Sequence, residues 1–240
     1  MQTHLCSIIL SKMASSQSAS HGKGKIGIIG SGLIGRSWTM IFVSAGYNVT
    51  IFDIEQSQLT NALVDITKQL AELQKSGLLR GELTPEQQRA LVSVTSDIKE
   101  AVTGALHVQE CVPENEDLKR KVFSDMEQYA DDGTVLCSSV SCIVPSKFMG
   151  HLKRRSQCIV AHPTNPPYYC PVVEIVPNPW TDQSVISRTR ALLEEVGQVP
   201  VTVKKEIDGF ALNRMQFAII NEAWRLVADG VMSAEDVDKA

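Results

Sequence analysis

A five-residue apolar strand running into three spaced glycines is the tightest constraint on this chain. Residues 24–38 read GKIGIIGSGLIGRSW. Lys25 to Ile29 has the texture of a short buried strand, and Leu33 to Ala45 that of a helix stopped by Gly46. Between them lies Gly30-Ser31-Gly32-Leu33-Ile34-Gly35. In a dinucleotide-binding βαβ unit the first glycine makes the tight turn. The second lets the backbone approach a pyrophosphate, and the third lets helix and strand pack closely. The phosphates then meet the positive end of the helix. Glycines alone are a weak signal. The required context is a second strand that ends in an acid about 20 residues further on. Asn48 to Phe52 reads as that strand, and Asp53 follows it, 18 positions after Gly35. Gly30, Gly32, Leu33, Ile34, Gly35 and Asp53 are therefore the candidate cofactor residues. A carboxylate at position 53 accepts hydrogen bonds from ribose hydroxyls and repels a 2′-phosphate, which favours NAD over NADP. FAD shares the fingerprint, and the glycines do not separate the two.

The rest of the chain keeps alternating. Gln56 to Lys75 reads as a long amphipathic helix. Thr84 and Pro85 open another, as N-cap and first helical residue. Strands are expected at Val92 to Thr95, Leu106 to Cys111, Val135 to Ser138, Cys158 to Ala161, Val172 to Val176 and Val199 to Val203. Helices are expected at Leu118 to Tyr129 and Thr181 to Val196. This alternation predicts an α/β fold with a doubly wound, mostly parallel Rossmann sheet. From Gly209 to Asp229 the pattern is continuously helical, and Ser233 to Asp236 has the form of a capping box. The expected organisation is a disordered tail over 1–22, a Rossmann domain over 23–208, and over 209–240 the beginning of a helical domain.

Composition removes other classes. The net charge of −4 gives no reason to expect nucleic acid or a membrane surface as partner. No stretch approaches the roughly 18 apolar residues of a membrane span. The six cysteines include no C-x-x-C pair and do not cluster with the five histidines at ligand spacing. Free thiols, no metal and a cytoplasmic location are the expectations.

Three later segments carry polar groups on apolar frames. LCSSVSC (136–142) ends a strand in hydroxyls. IVAHPTNPPYYCPVVEIV (159–176) holds His162 at a strand end and Glu174 inside an apolar run. GFALNRMQFAIINEAWRL (209–226) is helical, with Asn213 near its start. Oxidation of an alcohol by NAD needs a base at the hydroxyl, and an imidazole suits that task. A carboxylate on the other ring nitrogen fixes the tautomer. Glu174 inside VVEIV would be costly to bury without such a partner. His162 alone reads equally well as a core or loop histidine; with Glu174 it reads as a base and its orienting partner. Ser141 reads as a turn hydroxyl and Asn213 as a polar residue near a helix N-terminus. Glu114 reads as a helix-start acid and Lys119 as a surface lysine.

GSGLIGRSW, FDIE, ECVPE, SSVSC, AHPTNPPYYCPVVEIV and GFALNRMQFAIINEAWRLV together resemble the 3-hydroxyacyl-CoA dehydrogenase superfamily, from about Lys25 to the C-terminal end. The resemblance implies that His162 is the general base and Glu174 its partner. It also implies that Ser141 and Asn213 bind the substrate oxygen or position the ring. Glu114 and Lys119 would then lie near the nicotinamide half of NAD. Within the superfamily, NPPYY and NEAWRL resemble a branch acting on a sugar acid. That implies oxidation of the 3-hydroxyl of L-gulonate to 3-dehydro-L-gulonate, in the glucuronate–xylulose route, by an enzyme that is a homodimer when full length. The alternatives are a 3-hydroxyacyl-CoA substrate, or a structural protein or truncated isoform that binds NAD without turning anything over.

Overall fold

The computed structural model describes residues 23–240. The tail expected over 1–22, and Cys6 with it, lies outside the described residues.

The first half alternates as the periodicity predicts. Its elements are β1 (Lys25–Ile29), α1 (Leu33–Ser44), β2 (Asn48–Phe52), α2 (Gln56–Lys75), α3 (Pro85–Ala90), β3 (Val92–Thr95), α4 (Ile98–Val102), β4 (His107–Glu110), α5 (Glu116–Tyr129) and β5 (Val135–Ser138). After these come α6 (Pro145–Met149), β6 (Cys158–Pro163), β7 (Val172–Pro177), α7 (Gln183–Glu195), β8 (Val199–Thr202), α8 (Leu212–Ala228) and α9 (Ala234–Lys239). One eight-stranded sheet runs in the order β3-β2-β1-β4-β5-β6-β7-β8. The order reverses between β1 and β4, which opens a crevice at the carboxyl ends of these strands.

Both faces of the sheet are covered, so its strands are apolar on both sides. Ile26 and Ile28 of β1 join one core with α1, α2 and α7, through residues such as Trp38, Ile66 and Leu193. Ile29 joins the other core with α4, α5 and α6, through Ala101, Phe123 and Phe148. Helix starts follow local chemistry. Thr84 and Gln87 form a full capping box ahead of α3, and the Ser233 side chain accepts from the N–H of Asp236 to open α9.

Two features depart from the sequence reading. The five-residue helices α4 and α6 are additional, being too short to show a helical period. Strand β6 also continues two residues past Ala161 and takes His162 into the sheet. Its partner β7 is antiparallel to it, whereas the other six neighbouring pairs of the sheet are parallel. The proline-rich loop over 164–171 is too short for a parallel crossover. The five described cysteines are free thiols. No described helix is long and apolar enough to cross a membrane.

Candidate active site

The glycine turn links β1 to α1. Gly30 has φ +103°, which an L side chain rarely adopts. A Cβ on Gly35 would sit 2.0 Å from the carbonyl oxygen of Gly30, so only glycine lets α1 approach the turn. A Cβ on Gly32 would meet no protein atom within 4 Å, and it would fill the open space above the helix start. That helix start has no side-chain cap and no acid in its first turn, which leaves its N–H groups free for an anion. Ile34 faces the cleft, while Leu33 stands 76% exposed at the first turn.

Asp53 follows β2 at the same edge. Its Oδ2 accepts from the Ser31 N–H at 2.9 Å and from the Ser31 hydroxyl at 2.6 Å. Burial pushes its carboxyl up, but these bonds, with others from the backbone of Glu55 and Ile54, outweigh burial and hold it below the ordinary value. Asp53 is thus ionised and also braces the glycine turn. Arg36 is engaged elsewhere, with Ser31 O at 2.8 Å and Asp65 at 3.2 Å, so no free guanidinium beside Asp53 awaits a 2′-phosphate. The open Gly32 cradle, uncapped helix and ionised Asp53 fit NAD.

The antiparallel register places His162 directly opposite Glu174. Directly opposed residues share a sheet face, so their side chains meet. His162 Nδ1 lies 2.8 Å from Glu174 Oε2. Glu174 is fully buried and His162 nearly so. The other oxygen, Oε1, accepts from the N–H groups of Ala211 and Leu212 at 2.8 and 3.0 Å. Burial pushes the carboxyl up. The His162 bond and the two N–H groups outweigh it, leaving Glu174 below its ordinary value. An ionised carboxylate only accepts, so Nδ1 carries a proton, and in the neutral ring Nε2 is the bare nitrogen. The turn that aims those N–H groups contains Phe210 at φ 49°, a non-glycine residue in the left-handed region, with its ring 5.6 Å from that of His162.

Ser141, Glu114 and Asn213 converge beside this pair. Glu114 Oε1 accepts from the N–H groups of Ser141 and Cys142 at 3.1 and 2.8 Å, fixing the turn after β5. Asn213 donates to the Ser141 carbonyl at 2.8 Å, tying α8 to that turn. Ile34, Cys111, Glu114, Ser139, Ser141 and His162 line one small pocket of about 130 Å³. Next to it a wider cleft of about 660 Å³ is lined by Cys142, Lys147, Asp208, Arg214 and Asn221. Lys147 pairs with Asp208 at 3.3 Å, whereas Arg214 has no acceptor within bonding reach among the described residues.

Lys119 departs from its expected place. It is buried, not a surface lysine, and is not among the residues lining the pocket beside His162. Its Nζ lies buried, 2.8 and 3.1 Å from the two oxygens of Glu110 and 3.1 Å from the Val112 carbonyl. These three acceptors use all three ammonium protons. Burial pushes the Glu110 carboxyl up, against the pull of Lys119 and the Ser138 hydroxyl. The pair pins the end of β4 behind the wall of the cleft. Sequence reasoning missed Glu110, although an acid closing the strand HVQE carries the same warning as Glu174 inside VVEIV.

A dinucleotide turn with an ionised Asp53, at the crevice of a doubly wound sheet, defines an NAD-dependent oxidoreductase. The model of the 3-hydroxyacyl-CoA dehydrogenase NAD binding domain matches residues 25–207, and that of the C-terminal domain of the same family matches 209–240. The chain belongs to the 3-hydroxyacyl-CoA dehydrogenase family, and its cofactor is NAD. It is 56% identical to a lambda-crystallin homolog of Bos taurus over 91% of this chain and 68% of that one. It is 54% identical to the lambda-crystallin of Oryctolagus cuniculus, over 92% and 69%. An L-carnitine dehydrogenase of Oceanobacillus iheyensis is 32% identical over 90% and 69%. Among solved structures, (S)-3-hydroxybutyryl-CoA dehydrogenase from Ralstonia eutropha superposes with a TM-score of 0.82 at 25% identity, over 88% and 74%.

Proposed function

We propose that this chain oxidises the 3-hydroxyl of L-gulonate to 3-dehydro-L-gulonate, with His162 as general base. The carrying observation is the 2.8 Å contact between His162 and Glu174, which leaves Nε2 bare at the pocket. When bound, NAD supplies the hydride acceptor. Nε2 takes the proton of the substrate hydroxyl, and Glu174 steadies the imidazolium that results. The ring stays in place because Glu174 is itself held by the N–H groups of Ala211 and Leu212. Asn213 and Glu114 hold the Ser141 turn, and with it the hydroxyl that meets the substrate oxygen. Arg214, with no acceptor in bonding reach among the described residues, supports a small acid as substrate, since its fork suits a carboxylate. Residues 209–240 supply the substrate side of the cleft in this reading.

The test is NADH formation from NAD and L-gulonate, with His162→Ala as control. A rate that falls about 10²–10⁴-fold in the variant supports the reading. Turnover of a 3-hydroxyacyl-CoA in place of L-gulonate moves the substrate. NADH binding without turnover of either marks a non-catalytic NAD-binding protein.

A further inference from the structure

A buried chain of hydrogen bonds beneath the pocket has a fixed direction. Gln109 is fully buried on β4. Its Nε2 lies 2.7 Å from Ser139 Oγ and 3.4 Å from the Ala161 carbonyl. A carbonyl only accepts, so the amide nitrogen must face this way. The amide oxygen then faces His107 Nε2 at 2.8 Å, and that nitrogen donates. His107 Nδ1 is correspondingly bare and has no partner. Burial pulls the His107 pKa down to about 4, so the ring stays neutral and keeps this tautomer.

Ser139 receives a second donor. Trp38 Nε1 lies 3.1 Å from the same Oγ, and an indole N–H can only donate. A hydroxyl has two lone pairs and one proton, and both lone pairs of Ser139 are now filled. Its proton must leave in a third direction. The Cys111 Sγ lies there at 3.3 Å, and its own proton can turn to the Gln109 carbonyl at 3.8 Å. A thiol sulfur is a weak acceptor. Ser139 also lines the 130 Å³ pocket together with His162, Glu114 and Ser141.

We propose that Ser139 is a further ligand-binding donor, whose proton, turned outward by Trp38 and Gln109, passes from Cys111 to a carbonyl or hydroxyl oxygen of the molecule bound beside His162. This rests on reading that pocket as the reaction site. The oxygen belongs either to the cofactor's carboxamide or to the substrate, and the two are separable.

The test compares Ser139→Ala and Gln109→Glu in the whole chain, by fluorescence titration with NADH and by initial rates with L-gulonate and (S)-3-hydroxybutyryl-CoA. Ser139→Ala raises the Kd for NADH about tenfold if the oxygen is the cofactor's. If it is the substrate's, KM rises about tenfold with the NADH Kd unchanged. Gln109→Glu keeps the hydroxyl but offers it an acceptor, so the proton turns inward and the same constant weakens. A purely structural role for Ser139 would leave Gln109→Glu without that selective effect. Should Gln109→Glu fail to fold, Trp38→Phe frees one lone pair and gives the same effect at smaller size. Both constants within twofold of wild type in Ser139→Ala overturn the proposal. So does a Gln109→Glu or Trp38→Phe chain that behaves as wild type. If neither substrate is oxidised, the substrate reading falls on its own, and the NADH titration alone decides for or against Ser139.

Discussion

Glu174 shows how one residue couples chemistry to stability. Its carboxyl is held below the ordinary value, so the folded state favours the ionised form. Stability from this group is therefore present above the ordinary carboxylate range and is lost as pH falls through the lowered value. Glu174→Gln should flatten the acid limb of a stability–pH curve measured by denaturant unfolding. It should also cut kcat by about 10²–10⁴-fold, because an amide no longer fixes the imidazole tautomer. His107 works over a different window. Its pKa falls from 6.5 to about 4 on folding, so the unfolded chain binds more protons between these values. Stability should decline as pH drops from about 6.5 towards 4, and His107→Gln should remove that slope. At this scale the sequence made Glu174 legible, because a lone charge in VVEIV demands a partner. It hid the Phe210 turn and the direction of the Ser139 proton, since neither has a periodicity or a spacing to reveal it.

The β6–β7 hairpin and the β4–α5 corner carry the site between them. The hairpin sets the dyad by register, so a one-residue slip would send His162 and Glu174 to opposite faces. Sequence reading found both strands but ended β6 early, because a histidine and a proline look like the start of a loop. At the corner, the Glu110–Lys119 pair is buried at both ends. Lys119→Met should cost about 3–5 kcal/mol in urea unfolding, because it strands a carboxylate in the interior. The double variant with Glu110→Gln should recover most of that loss. Reading Lys119 as a surface lysine failed for a physical reason. A lysine on a helix looks alike in sequence whether it faces water or an acid closing the preceding strand.

Across the described residues, α8 is the longest element with no buried residue. None of its residues is buried, and Met215, Phe217, Ile219 and Trp224 are more than half exposed. An apolar face of this kind fits the homodimer that the family resemblance implies. Sedimentation of the chain should show mass rising with concentration, and Phe217→Ser with Trp224→Ser should suppress it. A monomer at every concentration would argue against that assembly. The amphipathic run from Gly209 to Asp229 was plain in the sequence, but no single pattern states what covers its apolar side.

One carboxylate serves two masters. Glu174 gives one oxygen to the base and the other to the backbone that launches α8. Whatever loosens that helix withdraws two donors from the carboxylate and makes it a stronger acceptor for His162. Whatever protonates the carboxylate weakens its hold on the start of the helix. Helix docking and proton affinity are therefore a single equilibrium seen from two sides, so a ligand that clamps α8 would be felt at the imidazole without touching it.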